Sequence, residues 1–551
     1  MKIQLSRCTV NRATYLLLVF SIYFNLKGQN YETLDANLIK VGVNKNGKLF
    51  RNNLDSGIEP RFEIQSTRIA HGIMQSNLWI SATDVNSHLK VAGDLLGGDY
   101  ESGSDFYSGT INPTFSSNRP SLIKITRNEI EQHKKDFNKA GYLVPSSIEN
   151  WPGMADSTLD EFSNLAPFID INGNGCYEPQ NGDYPFIKGD QAIYIIYNDL
   201  AKNHASSGAA PLSVEVHAMI YAWNLPNDSA LNSTVFVDYT IKNRSEVDLK
   251  SVKVGHFTEY SLGCRNDDFI GCDTLANLVY TYNRDGFDED CNGLFGFGRN
   301  PPAVGLAYIS HKLSSFMTIE ANNSVRGWPK NGVEFDNYLN ARWRDSTPLT
   351  VGGTGFSTDP SLERTNYMFT GDPINEKGWT ESSAGNTGGS RRSITSIPEF
   401  DLPSFGEFSL TVAYGFGVNV IDSTNHLMNI NLLKLNMEQA KAFLTSQKFD
   451  NQVVGSDKCA PKNVEHFRLP ENQVSLFPNP SISRINIESI EAIQLVSIYS
   501  LNGQKILTVE QKMPVKELEL NLEVVPEGLY LLKYVLINGT TGTLKLIKSN
   551  K

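Results

Sequence analysis

The chain has 551 residues, and its 49 basic and 60 acidic side chains give a formal charge of 49 − 60 = −11. Hydrophobic residues make up 40% and charged residues 20%, enough apolar material for packed cores, which excludes wholesale disorder. With 43 glycines and 24 prolines it is no collagen-like or low-complexity chain, and its acidic balance argues against a nucleic-acid partner.

At ~100–200 residues per domain, the length predicts about three to five domains. Residues 1–29 carry Lys2, Arg7, Arg12 and Lys27 and no acid, and an apolar run from Tyr15 to Phe24 follows the first three. That order predicts a secretory signal peptide, cleaved near Gly28 or Gln29. The run is too short for a transmembrane helix, which needs ~20 apolar residues. Cys8 precedes the run, so it is badly placed as a lipid acceptor. Without the four leader cations the charge becomes 45 − 60 = −15. No later stretch is long and apolar enough to span a bilayer, so a mature chain without a transmembrane segment is expected.

Export permits disulfides. Cys176, Cys264, Cys272, Cys291 and Cys459 remain after cleavage. Cys264, Cys272 and Cys291 cluster, which predicts one local bridge and leaves the pair open. The odd count leaves at least one thiol free or bonded to another chain. No CxxC pair exists, which argues against a thiolate zinc site.

Residues 30–447 read as a β-rich cargo of two or more subdomains. Strand-like alternation flanks Asn46-Gly47, a hairpin signal, and the pattern returns in "NLWISATDVNSHLKVAG". Thr126 and Glu129 have the spacing of a helix capping box, followed by Ile130, Phe137 and Ala140, with Gly141 as the stop. Next comes the best local signal for chemistry, a loop from Asp170 to Asp183. Calcium takes six to eight oxygen ligands on a tightly turned chain. Asp170, Asn172 and Asn174 alternate, Gly175 permits the turn, Cys176 offers its backbone carbonyl, and Glu178 can bind directly or through water. An EF-hand would carry Glu at Asn181, so Asp183 is the expected closing ligand, and Pro179 argues against the usual flanking helix. The loop resembles the calcium loops of dockerin and thrombospondin repeats. The other reading is a Gly/Asn-rich turn whose side chains satisfy its own backbone.

Long strands are expected within residues 191–260 from their β-branched and aromatic content. His217 alternates with Glu215, and His256 lies near Glu259; these types can build a zinc site, although no HExxH is present. Asp267, Asp268, Asp273, Asp285, Asp288, Glu289 and Asp290 form an acidic cluster, read as a solvated loop or a second cation site. Trp223, Trp328, Trp343 and Trp379 can stack on sugars or pack in cores. Another strand region covers 405–421, and helical periodicity follows from His426 to Phe449. No GxSxG elbow or P-loop occurs.

Residues 448–473 read as a polar linker containing Pro461 and Pro470. Beyond it, short strands with turns at Pro478-Asn479-Pro480, Asn502-Gly503 and Asn538–Gly542 predict a small Ig-like β-sandwich. Residues 474–551 resemble the type A C-terminal sorting domain of the type IX secretion system. The matching residues are Pro478-Asn479-Pro480, the Tyr499/Asn502-Gly503 hairpin, Gly528-Leu529-Tyr530, and Gly542 with Lys545 and Lys548. The resemblance implies passage across the outer membrane of a Gram-negative envelope and contact with the type IX sorting machinery. It also implies removal of the domain, then attachment to surface lipopolysaccharide or release. The cargo itself is similar to an uncharacterised family of large secreted proteins from bacteria with this system. That similarity rests on stretches such as "LAPFIDINGNGCYEPQNGDYPFIKGDQAIYIIYND", "DDFIGCD", "NPPAVG" and "RRSITSIPEFDL", and it implies no activity.

These readings predict a mainly β, multidomain chain of antiparallel sandwich modules with a few helices. The functional expectation is an exported, calcium-stabilised binding or adhesion protein with a glycan or matrix ligand and no catalytic residues named. The alternative is a secreted hydrolase, a glycosidase or peptidase, with an unrecognised active site.

Overall fold

The computed structural model describes residues 30–51, 62–65, 69–95, 98–104, 122–154, 165–200, 203–291, 293–419, 421, 424–449, 451–454, 474–500, 504–537 and 541–549. The leader, most of the linker, Cys459 and the Asn502-Gly503 tip lie outside them. The fold is mainly β and antiparallel, with two compact units, one within residues 1–460 and one within 461–551.

In chain order, the cargo elements that position the sites begin with β1 (Ile73–Thr83), β2 (Leu89–Ala92), β3 (Leu122–Thr126) and α1 (Arg127–Asp136). They continue with β4 (Gln191–Asn198), β5 (Val214–Ala222), β6 (Thr234–Asn243), β7 (Leu249–Tyr260), β8 (Asp268–Asp273), β9 (Leu278–Asn283), β10 (Ala303–Tyr308) and β11 (Ser315–Thr318). Helix α2 (Gly332–Leu339), β12 (Arg392–Ser396), β13 (Glu407–Gly417) and α3 (Met428–Ser446) complete them.

A nine-stranded sheet runs β8-β9-β10-β13-β6-β5-β4 and ends on the short strand Glu101–Ser102, with β3 also paired to β4. Its inner strands are buried on both faces, so they read as near-continuous apolar runs, as in QAIYIIYN of β4. Ile193, Val216, Val237 and Val412 face one core, shared with a six-stranded sheet ordered β11-β12-β7-β1-β2, with Phe400–Leu402 also paired to β7, and with a sheet of four short strands between residues 31 and 71. Tyr194, Met219, Phe236 and Ala413 face a second core, closed by α1, α3 and residues 148–151 and 165–187. The Asn46-Gly47 turn forms as expected: Gly47 takes φ 86° and Val43 bridges Leu49.

Helix α1 starts on the expected capping box. The Glu129 N–H donates to Thr126 Oγ1 at 3.2 Å, and the Thr126 N–H donates to Glu129 Oε2 at 2.8 Å. It ends a turn before Gly141, because Lys139 N turns back to Asp136 O and Phe137 leaves to pack beside Gly182. Residues 451–454, inside the stretch read as linker, return to the cargo, where Val453 and Phe168 exchange both backbone hydrogen bonds at 2.9 Å.

The second unit holds β14 (Val474–Phe477), β15 (Arg484–Ser500), β16 (Lys505–Asn521), β17 (Gly528–Leu536) and β18 (Thr541–Lys548). Strand β15 pairs with β14, β16 and β17, shifting register after Glu488, around a core that includes Ile485, Ile498, Leu532 and Leu546. Asn479 stitches its turn to β18, donating to Lys545 O at 2.6 Å and accepting from Ile547 N at 2.8 Å. Gly542 leaves room for the Tyr534 ring.

Helix α3 buries Ile430, Leu433, Met437 and Ala440 on one stripe against glycines of β10 and β13. A Cβ on Gly417 would lie 2.2 Å from Leu433 N and 2.6 Å from Asn429 O, both backbone atoms that cannot swing aside. Gly417→Ala should therefore lower unfolding stability by ~2 kcal/mol or more, and Leu433→Ala by ~2–5 kcal/mol, both measured by urea denaturation of the full chain.

Candidate functional site

The loop from Asp170 to Asp183 is held between two short paired strands, Phe168–Ile169 and Tyr184–Pro185. Asp170 folds onto its own turn, accepting Gly173 N at 2.8 Å and Gly175 N at 2.6 Å. Asn172 and Asn174 accept from the backbone two residues on, at 3.1 and 2.7 Å. Their side-chain amides, with that of Asn181, converge on Glu178 Oε2 at 3.1, 2.8 and 3.0 Å. Those three donors hold the Glu178 carboxyl below its usual range. Asp183 is fully buried and accepts Ile171 N at 2.9 Å and Glu178 N at 2.8 Å. Burial raises its pKa, and the nearby Asp170 and Glu178 charges add to the rise.

The loop thus brings Asp170, Asn172, Asn174 and Glu178 together. Asn181, the residue at the EF-hand closing position, joins their side-chain cluster, while Asp183 serves the backbone beside it. Cys176 is disulfide-bonded, and its partner lies outside the described residues. No Lys or Arg pairs with these carboxylates among the described residues. Nor, among those residues, do three His, Cys, Asp or Glu side chains already stand in a metal-holding group.

His217 and Glu215 do meet. His217 Nε2 donates to Glu215 Oε1 at 2.6 Å, and the Arg244 guanidinium holds the same carboxylate through Nε at 3.2 Å. Nδ1 is then the acceptor for the Tyr194 hydroxyl at 2.8 Å. Burial pushes the His217 imidazole down to about 4. His256 lies elsewhere, in β7, with Nδ1 on the Tyr308 hydroxyl at 2.9 Å. Glu259, three residues on and so on the opposite face, accepts from Gln75 at 2.9 Å and from Arg392. The two His/Glu pairs do not converge.

The acidic cluster divides. Asp285, Glu289 and Asp290 are exposed, as a solvated loop requires, and Asp273 pairs with Lys434 of α3 at 2.8 Å. Asp268 and Asp288 are fully buried and serve as backbone clamps: Asp288 accepts Cys264 N at 2.9 Å and Phe297 N at 2.7 Å, and Asp268 accepts Leu262 N at 3.2 Å. Burial, with the charges of Asp267 and Glu289, raises Asp288 to about 7. The local bridge is Cys264–Cys291, and Cys272 is a buried free thiol.

Cavities open among the described residues of the cargo. One, of about 350 Å³, lies on the second-core face of the central sheet. Tyr194, His217, Asp238, Lys242, Glu407 and Thr411 line it. Strand register places them on that face in rows: Met219 opposes Asp238, which opposes Thr411, and Lys242 opposes Glu407. Lys188 pairs with Asp238 at 2.6 Å and Lys242 with Glu407 at 3.1 Å. Another, of about 450 Å³, is walled by residues from 318 to 392, among them Glu320, Arg326, Trp343, Glu381, Arg391 and Arg392. Both volumes are within the range of small-ligand sites. No sequence signal marked the second cavity, because its walls come from separate stretches of chain. Of the tryptophans, Trp343 and Trp223 are buried, and Trp328 and Trp379 are half-buried.

Residues 475–549 match the family model described as the secretion system C-terminal sorting domain. The chain is therefore a cargo of type IX secretion, and the domain meets that machinery. It is directed to the cell surface or the medium. No curated protein matches the chain. Among solved structures, a polysaccharide lyase aligns with 70% of this chain at 10% identity and a TM-score of 0.19, and the alignment covers 40% of the lyase chain. A score that low carries no argument. No helix of the described residues is long and apolar enough to cross a membrane.

The buried His217 makes a pH prediction. Its folded pKa, about 4, lies below the ordinary value of 6.5, so the unfolded chain takes up the proton first. Its contribution is whole above pH 6.5 and is lost as pH falls toward 4, at ~1.4 kcal/mol per pH unit. Urea unfolding between pH 7 and 4 should show a shallower decline in His217→Gln than in the parent.

Proposed function

We propose that the exported cargo acts outside the cell as a binding protein, holding a polar glycan or matrix ligand and stiffened by calcium in the loop from Asp170 to Asp183. The observation that carries the binding reading is the 450 Å³ cavity. Its charged side chains are held in fixed ion pairs: Arg326 to Glu320 at 2.6 Å, and Arg391 to Glu381 through Nε at 2.7 Å. Hydroxyl and amide groups of Thr318, Thr387 and Asn386 share the wall. Preset polar groups of this kind hold and orient a polyhydroxyl ligand without reorganising.

The register of the smaller cavity favours retention over hydrolysis. A glycosidase pair needs carboxylates about 5–9.5 Å apart. Asp238 and Glu407 sit on neighbouring strands but four residues out of register, a step of ~13 Å along the sheet.

Calcium fits the first loop by charge. The Asp170 and Glu178 charges stand close enough to Asp183 to raise it, and asparagine amides hold Glu178 where a cation would compensate it. In this reading the sorting domain is removed after export, and the cargo is attached to surface lipopolysaccharide or released.

Two experiments test the proposal. The full chain is incubated with polysaccharides and matrix proteins, scoring both retention and soluble product. Retention without product is expected, weakened by Arg326→Ala, whose half-exposed ion pair costs only ~0–1 kcal/mol to remove; product release would overturn the reading. Separately, saturating calcium should raise the melting temperature relative to EDTA, worth ~2.7 kcal/mol at a hundredfold excess over Kd. Glu178→Gln should abolish the gain, and an unchanged melting temperature in the parent would remove calcium from the proposal.

A further inference from the structure

We infer that the ligand of the 450 Å³ cavity is an acidic saccharide, a sugar chain carrying carboxylates. The inference rests on the reading of that cavity as the binding site and goes on to its ligand class. It starts from two unmatched donors in the wall. Arg392 is buried, and one arm of its guanidinium is bound by Glu259 while the Trp328 ring covers it, centroid 5.1 Å away. Its Nε–H has no acceptor among the described residues. Ser390 Oγ, two residues earlier and on the same cavity, is likewise buried without a partner.

A cationic N–H left without an acceptor in a buried site is costly, and a hydroxyl beside it adds to the deficit. The other guanidiniums show what the wall does when it can satisfy itself. Arg391 is held by Glu381 and by Thr387 O at 2.7 Å, and Arg326 pairs with Glu320. The groups left open call for an acceptor that the protein does not supply. A carboxylate meets that need, because guanidinium N–H groups match its planar oxygens.

The rest of the wall selects among carboxylate carriers. Glu320 and Glu381 also line the cavity and Glu259 faces Arg392, so the arginines are already balanced and the wall suits a single charge better than a dense sulfate. Thr318, Asn386 and Thr387 offer hydrogen bonds to a polyol, which an acidic peptide side chain does not use.

The test is calorimetric titration of the full chain with oligogalacturonate, a neutral malto-oligosaccharide of equal length, a sulfated oligosaccharide and oligoglutamate. Binding of oligogalacturonate above the other three is expected. Arg392→Lys keeps the charge opposite Glu259 but loses the Nε–H, and should weaken binding about tenfold or more. Ser390→Ala removes a hydroxyl that has no partner, so it should leave the melting temperature unchanged or higher while weakening binding about threefold to tenfold. Preference for the sulfated sugar or for oligoglutamate, equal binding of the neutral sugar, or unchanged affinity in a folded Ser390→Ala would each overturn the inference. In those cases the binding reading stands if another ligand is held at the cavity. Failure of every ligand, together with no retention on the polysaccharide and matrix panel, would overturn both.

Discussion

A sheet buried on both faces sets the terms for the cargo. The inner strands of the nine-stranded sheet have no solvent side, so any polar residue on them must find its partner inside the protein. The second-core face meets this demand in graded fashion. Where α3 covers it, Ala413 and Phe236 are apolar. Farther along that face come Asp238, paired with Lys188, then His217 with Tyr194, and then Glu215, closed by Arg244, beside Lys242 and its partner Glu407. The cavity there opens where the face turns polar, between a dry core and ion pairs that can reach water.

How much of this the sequence announces depends on how local the cause is. The strands within 191–260 and helix α3 are legible because each carries its own period: alternation or apolar runs in the strands, and apolar residues at helical spacing in the helix. The strands from β8 to β11 are short, and Asn, Asp and Gly between them mask the pattern. The loop from Asp170 to Asp183 is legible for the same local reason, as its Asp, Asn and Glu side chains, the bond of Asp183 to Ile171 apart, reach residues two to six positions away. Its one surprise, the part played by Asn181, comes from the 3₁₀ turn Pro179–Asn181, which swings that amide toward Glu178. The large cavity is the opposite case. Glu259, Glu381, Arg391 and Arg392 pair across up to 133 positions, and no spacing rule encodes such a contact.

The sorting domain shows why short motifs can identify a fold that overall sequence does not. Its diagnostic residues are those for which geometry leaves little choice. Asn479 must present both an amide donor and a carbonyl acceptor to β18, and aspartate or leucine cannot do both. Gly542 must lack a side chain, since a Cβ there would lie 2.2 Å from the Tyr534 hydroxyl. The core positions between them, such as Ile487 and Leu532, need only be apolar and of suitable size.

Export also bears on how buried charge is managed. Around the large cavity, each arginine is neutralised by a glutamate held in place, and the pairs define the walls. Among the described residues Asp268 and Asp288 have no such partner. They repel each other and rely on backbone N–H groups, with Asp288 raised to about 7. Such an arrangement is stable only if the backbone around it cannot open. The Cys264–Cys291 bond supplies that restraint: it ties the segment that donates Cys264 N–H to the strand pair that carries Asp288, across 27 positions. Closing a loop of that size is worth ~3–4 kcal/mol on the chain-entropy account, comparable to what two half-satisfied carboxylates cost. Such a bond forms and persists in oxidising compartments, and the sorting domain directs the chain to one, so the acidic clamp and the export route go together.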